Sequence, residues 1–221
     1  MAELKREIHS IIQPLERPLI SWIIKHYPAW ITPDLLTYTS LASGPAMLAA
    51  YYFSQFNHAL IWLASFFLFI NWLTDSTDGG LARYRQRQRP NYGHYTDHAF
   101  DMIVTMCIGL GLGFSPVLHM VPSIALVFLF YLWTLHSSIS SSVIKTYRLT
   151  YFKIGPTELR LLVLIGQTFW LFYPNATIAG SHVVELAART VLGIGIALLF
   201  YESIKTIISL RTKDESRLPK Q

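Results

Sequence analysis

Charged residues and cysteine are scarce in this sequence. Asp, Glu, Lys and Arg make up 14% of the 221 residues, whereas soluble domains carry about a quarter. The single cysteine, Cys107, has no partner within the chain, which excludes a domain held together by intrachain disulfides. Apolar residues reach 52% and the mean hydropathy is +0.36. This composition indicates that a bilayer surrounds most of the chain.

Lysine and arginine are almost missing from three long stretches. These are residues 26–82, 90–144 and 161–204, which are 57, 55 and 44 residues long, and Arg189 is the one cation inside them. A membrane-spanning helix needs about 20 apolar residues, so each stretch holds two helices and a turn. The sequence therefore predicts an all-α integral membrane protein with six transmembrane helices.

The predicted spans divide the chain into three parts. They cover residues 35–53, 59–84, 92–114, 121–145, 158–173 and 183–210. Residues 31–211 are predicted to form the six-helix domain, and residues 212–221 a charged cytoplasmic tail. Residues 1–30 are predicted to form a juxtamembrane amphipathic segment of one or two short interfacial helices, because apolar residues recur there at helical spacing. These residues are Ile8, Ile11, Ile12, Leu15 and Leu19.

The net charge is +5, and the positions of the lysines and arginines along the sequence indicate the membrane topology. Because a helical hairpin returns to the side that it left, four basic clusters containing 17 of the 18 cations lie on one face. The positive-inside rule makes that face cytoplasmic and places both termini there. We expect a membrane partner and no nucleic-acid partner.

Four aspartates lie in or beside the second and third predicted spans: Asp75, Asp78, Asp97 and Asp101. An Asp at the centre of a membrane helix costs roughly 2.5 to 3.5 kcal/mol. The spacings of three and four place each pair on one helix face, and a short connector makes the two helices antiparallel neighbours. Oxygen ligands suit hard cations such as Mg²⁺, Mn²⁺ or Ca²⁺. Four such carboxylates can bind two ions about 4 Å apart, as in displacement at phosphorus.

Small residues and an arginine accompany these aspartates. Gly79, Gly80, Ala82 and Gly93 are expected to let a flat or phosphorylated ligand approach the helix backbone. Arg83 offers a planar guanidinium that matches phosphate oxygens. The pattern favours a pyrophosphate-binding site.

The stretch Asp75-Ser-Thr-Asp78-Gly79-Gly-Leu-Ala82-Arg83, followed after nine residues by Gly93-His-Tyr-Thr-Asp97-His-Ala-Phe-Asp101, resembles the signature of the CDP-alcohol phosphotransferase family. All eight defining positions are present, although the usual spacer has eight residues. The resemblance implies two divalent cations, Mg²⁺ or Mn²⁺, held by the four aspartates, with Asp101 also acting as the base. It further implies that Gly79, Ala82, Arg83 and Gly93 line the pocket for the CDP moiety, and that the protein is a homodimer.

Members of that family transfer a substituted phosphate from a CDP-linked donor to an alcohol acceptor and release CMP. One of the two substrates carries the lipid. The small chain favours CDP-diacylglycerol as the donor, whereas Asp97-His98 resembles the branch that uses CDP-choline or CDP-ethanolamine with a diacylglycerol acceptor. A divalent-cation channel or transporter is the alternative of another class, and a binding protein without turnover is a third.

Several other polar residues have two interpretations. Arg85, Arg87 and Arg89 favour a topology-setting connector over a substrate-attracting surface. The serines between Ser137 and Ser142 favour helix packing over an acceptor pocket. Thr157 is predicted to cap the fifth span.

Overall fold

The computed structural model describes residues 6–7, 12–144, 147–148 and 156–215. Within them the chain is all-α, with seven helices: α1 Gln13–His26, α2 Pro33–Ser54, α3 Leu60–Tyr84, α4 Pro90–Phe114, α5 Met120–Ile144, α6 Pro156–Phe172 and α7 Val183–Glu215. Two pairs of two-residue strands accompany the helices. Strand β1 (Arg6–Glu7) pairs in parallel with β2 (Tyr147–Arg148), and β3 (Thr177–Ile178) pairs antiparallel with β4 (Ser181–His182).

Four of the described helices, α3, α4, α5 and α7, are long and apolar enough to cross a membrane. The chain is therefore an integral membrane protein. Helix α2 has 22 residues but mixes serine and threonine with its apolar residues. Helix α6 has 17 residues, which span about 25 Å against a hydrocarbon core of about 30 Å. The number of six crossings stays a prediction.

Helix α2 packs against both α3 and α4. Helix α4 also packs against α5, and α5 packs against α7. Glycine permits the close approaches in this bundle. A Cβ on Gly44 of α2 would lie 3.2 Å from the Cα of Val104 on α4, and one on Gly111 would lie 2.6 Å from a ring carbon of Tyr51. The two glycines let α2 and α4 pack closely. Because α2 also packs against α3, it holds α3 and α4 in a fixed relative position.

Helix α1 has two apolar sides. Ile24 packs with Leu36 and Leu81 of the bundle, while Leu15 and Trp22 are exposed. A helix in the predicted N-terminal segment is confirmed at Gln13–His26, its amphipathic placement in the interface stays a prediction, and Arg6–Glu7 forms a strand instead of helix. Residues 8–11, Lys145 and the tail from residue 216 lie outside the described residues.

The start of α2 follows the predicted capping pattern. The hydroxyl of Thr32 accepts a hydrogen bond of 3.1 Å from the backbone N–H of Leu35, and Pro33 occupies the first helical position. The Thr32 hydroxyl satisfies one of the free backbone N–H groups at the helix start, and Pro33 has no backbone N–H to satisfy.

The bundle has two ends. We call one end the site end: α3 ends there, and α2, α4 and α6 begin there. We call the opposite end the far end: α4 and α6 end there, and α5 and α7 begin there.

Candidate metal centre

Three aspartates from two helices meet near the site end. Asp75 lies on α3, whereas Asp97 and Asp101 lie one turn apart on α4. One carboxylate oxygen from each lies within 4.8 Å of the others, and all three residues are half-buried. The prediction that these carboxylates come together is confirmed for the three residues, whereas the predicted direct packing of their helices is not, because α3 and α4 each pack against α2.

Asp78 faces helix α2 instead of this cluster. Its Oδ2 accepts a hydrogen bond of 2.6 Å from the hydroxyl of Thr37, and its Oδ1 accepts from the backbone N–H of Gly79. Two turns earlier on α3, the amide of Asn71 donates to the hydroxyl of Ser40 on α2 at 2.9 Å. This polar row joins α2 to α3. A role for Asp78 as a metal ligand stays a prediction.

Arg160 of α6 supplies positive charge to the Asp cluster, meaning Asp75, Asp97 and Asp101. One guanidinium nitrogen donates to Asp75 Oδ2 at 2.8 Å and lies 3.7 Å from Asp101 Oδ1. The side chain of Arg160 is 13% exposed. In the sequence, Arg160 was assigned to a basic cluster on the cytoplasmic side, and its contacts with the aspartates were not predicted. Its position at the start of a predicted span that begins at the site end was the available signal.

Helix α1 is tied to the same region through Glu16. This carboxylate accepts hydrogen bonds from Trp72 Nε1 at 2.8 Å, from the Ser76 hydroxyl at 3.1 Å and from the Thr157 hydroxyl at 3.3 Å. The prediction that Thr157 caps its helix is wrong, because α6 begins at Pro156 and Thr157 lies inside the first turn. Glu16 was not predicted either, since its partners are far apart in the sequence.

The glycines of the motif differ in their surroundings. A Cβ on Gly80 would collide with the side chain of Ile24, so the expectation of ligand approach is wrong at Gly80, where α1 fills the space. A Cβ on Gly79 would meet Arg83 at 3.5 Å, and one on Gly93 would meet no atom within 4 Å. Both glycines are exposed, and open space remains beside Gly93.

Comparison with known families agrees with the geometry. The sequence model of the CDP-alcohol phosphatidyltransferase family matches residues 30–202, which include the Asp cluster and Arg160. The chain belongs to this family. Membership makes it a membrane enzyme of phospholipid synthesis that acts on CDP-alcohol substrates, and leaves the channel alternative without support.

Within this family member, two of the connector arginines have structural partners. Arg85 donates to backbone carbonyls of the α1–α2 connector, including that of Pro28 at 2.8 Å. Arg89 forms an ion pair with Asp34 and lies 4.3 Å from the ring centre of Tyr92. These contacts favour the connector interpretation for both residues.

His98 and the serine run also pack locally. The ring of His98 lies 4.4 Å from the ring of His94, and its Nδ1 lies 3.9 Å from Asp97 Oδ2. The hydroxyls of Ser141 and Ser142 donate to carbonyls of their own helix at 2.8 and 2.7 Å. These bonds lie within α5 and are exposed, so the choice between helix packing and an acceptor pocket stays open for these two serines.

Proposed function

We propose that this enzyme transfers a phosphatidyl group from CDP-diacylglycerol to the hydroxyl of a small alcohol and releases CMP. The observation that carries the proposal is the Asp cluster, whose oxygens lie within 4.8 Å of one another in a chain of this family. The exposed Gly79 and the open space beside Gly93 leave room for a donor next to that cluster.

The donor atoms of the cluster fit Mg²⁺ or Mn²⁺. Three carboxylate oxygens from half-buried side chains are the ligand type that these hard cations prefer. Asp75, Asp97 and Asp101 are the proposed ligands, and Asp78 would join them for a second ion. Bound divalent cations neutralise the pyrophosphate charge and make its phosphorus a better electrophile.

The protein's own groups bind the donor and move the proton. Arg83 is exposed near Gly79 and is proposed to bind the phosphates, with Gly79, Ala82 and Gly93 lining the CDP pocket. Asp101 is proposed to accept the proton of the acceptor hydroxyl as its oxygen forms a bond to phosphorus. The bond between that phosphorus and the CMP oxygen breaks, and CMP leaves with the electron pair.

The membrane arrangement is part of the proposal. Arg83, Arg85, Arg87, Arg89 and Arg160 all lie at the site end, whereas Arg189 lies at the far end. This distribution supports a cytoplasmic site end, six spans and cytoplasmic termini. We further propose a homodimer and the division at residues 1–30, 31–211 and 212–221.

Product analysis tests the assignment. The purified chain is incubated with CDP-diacylglycerol, CDP-choline and CDP-ethanolamine together, with candidate alcohols and diacylglycerol, and products are identified by mass spectrometry. We expect CMP and a phosphatidyl product that depend on Mg²⁺. A product made from CDP-choline or CDP-ethanolamine would overturn the donor, and no CMP from any donor would overturn the proposal.

A further inference from the structure

We propose that Arg160 is an internal counter-ion of the Asp cluster, and that a divalent cation displaces its guanidinium when it binds. This inference rests on the metal site of the proposed function. It assigns to a residue outside the aspartate motif a role in setting the affinity for the metal.

The guanidinium and a metal ion compete for the same carboxylates. Arg160 lies 2.8 Å from an oxygen of Asp75 and 3.7 Å from an oxygen of Asp101, and both residues belong to the cluster that fits a cation. A magnesium ion binds its oxygens at about 2.1 Å. An ion at that distance would lie beside a guanidinium that is also positively charged, so the two repel each other.

Arg160 also stabilises the cluster in the absence of metal. Three half-buried carboxylates within 4.8 Å of one another repel each other, and an arginine supplies a charge that it does not lose at any physiological pH. The side chain of Arg160 is 13% exposed, so water screens these interactions little.

The backbone around Arg160 is anchored, which confines the displacement to the side chain. Thr157, one turn earlier on α6, donates to Glu16 of α1 at 3.3 Å, and Glu16 also binds Trp72 and Ser76 of α3. A displaced guanidinium on this fixed helix remains near the cluster. It can then donate to phosphate oxygens of the substrate, for which its geometry is suited.

The binding of Mn²⁺ alone, measured by electron paramagnetic resonance on the full chain, tests the inference without turnover. Arg160→Gln removes the competing charge, so we expect its affinity for Mn²⁺ to rise at least about tenfold. Arg160→Lys keeps the charge and should stay near the unaltered protein. Arg189→Gln removes a far-end arginine as the matched control and should leave the affinity unchanged.

The outcomes separate the two proposals. Equal or weaker Mn²⁺ binding by Arg160→Gln, beside normal binding by the unaltered chain, would overturn the counter-ion role and leave the metal site standing. No Mn²⁺ binding by the unaltered chain would overturn both.

A second measurement needs no substitution. Phenylglyoxal modifies accessible arginines, and mass spectrometry reports the modified fraction of each residue. We expect Mn²⁺ to increase the modification of Arg160 several-fold and to leave that of Arg189 unchanged. Modification of Arg160 that stays constant or falls when Mn²⁺ binds would contradict displacement.

Discussion

The acidic residues at the two ends of the bundle have different charged surroundings. At the far end the side chain of Glu185 is 4% exposed, forms an ion pair with Arg189 and contacts the ring of His119. At the site end three aspartates lie within 4.8 Å of one another, and Arg160 contacts Asp75 and Asp101. An arginine thus pairs with one acid at the far end, whereas at the site end an arginine contacts two of three clustered acids.

The difference separates a structural acid from a functional one. Glu185 lies in the first turn of α7, where a carboxylate also interacts favourably with the helix dipole. Its surroundings account for its charge without any ligand. In the Asp cluster three half-buried carboxylates lie within 4.8 Å of one another, and their mutual repulsion near apolar helix surfaces is costly and is relieved when the site binds cations. The clustering of several acids, more than the presence of one acid, distinguishes the candidate metal centre.

The largest expected effect is on turnover. Asp101→Asn removes both a proposed ligand and the proposed base, so we expect CMP release to fall by about a thousandfold or more, with donor binding largely kept. Glu185→Gln is the far-end control and should leave turnover within about twofold. Radiolabelled CMP release measures both. Equal losses in the two variants would remove the functional distinction between the ends.

The same two variants are expected to shift stability in opposite directions. In the presence of a chelator, Asp101→Asn relieves repulsion within the cluster and should stabilise the fold by about 1 kcal/mol. Glu185→Gln removes a buried charge from beside Arg189 and should destabilise the fold by about 2 kcal/mol. Thermal unfolding in detergent measures the sign of the stability change in each variant. A destabilised Asp101→Asn protein would mean that Arg160 already balances the cluster.

Much of the fold was predictable because the bilayer imposes a simple rule. Stretches without lysine or arginine placed helices α2 to α7 within a few residues of their observed bounds, apart from the longer end of α7. The cap at Thr32 was predictable from local chemistry alone. The length of α1 and strand β1 were not, since both depend on how the N-terminal segment meets the rest of the chain.

The site was predictable where its residues are close in sequence. Asp97 and Asp101 share a helix face by spacing, and a short connector brings Asp75 to them. Arg160 and Glu16 reach the site from other helices, and no periodicity encodes those contacts. Gly80 resembled a ligand-binding glycine because the sequence does not reveal that Ile24 fills its space.

Two glycines test whether the site end is open while the far end is packed. A Cβ on Gly113 would lie 3.0 Å from the Cα of Met120, so Gly113→Ala should cost about 1 to 3 kcal/mol of stability and leave the KM unchanged. Gly93→Ala should change stability by less than about 0.5 kcal/mol, and raise the KM for the donor. Unfolding and steady-state kinetics of both variants check the pair. A stable Gly113→Ala protein would contradict close packing at the far end.

The smallest effects concern the turns at the two ends. At the site end Gln86 follows α3 with φ 55°, and at the far end Gly180 lies in the β3–β4 turn with φ 79°. An alanine at Gly180 meets no neighbour, but the left-handed backbone should cost about 1 to 2 kcal/mol. Gln86→Gly relieves the backbone strain that a non-glycine residue has at this positive φ. Glycine also increases the conformational entropy of the unfolded chain, which offsets part of this effect, so we expect at most about 0.5 kcal/mol of stabilisation. Chemical unfolding of both variants should therefore show opposite signs, and a destabilised Gln86→Gly protein would mean that the glutamine side chain stabilises the turn.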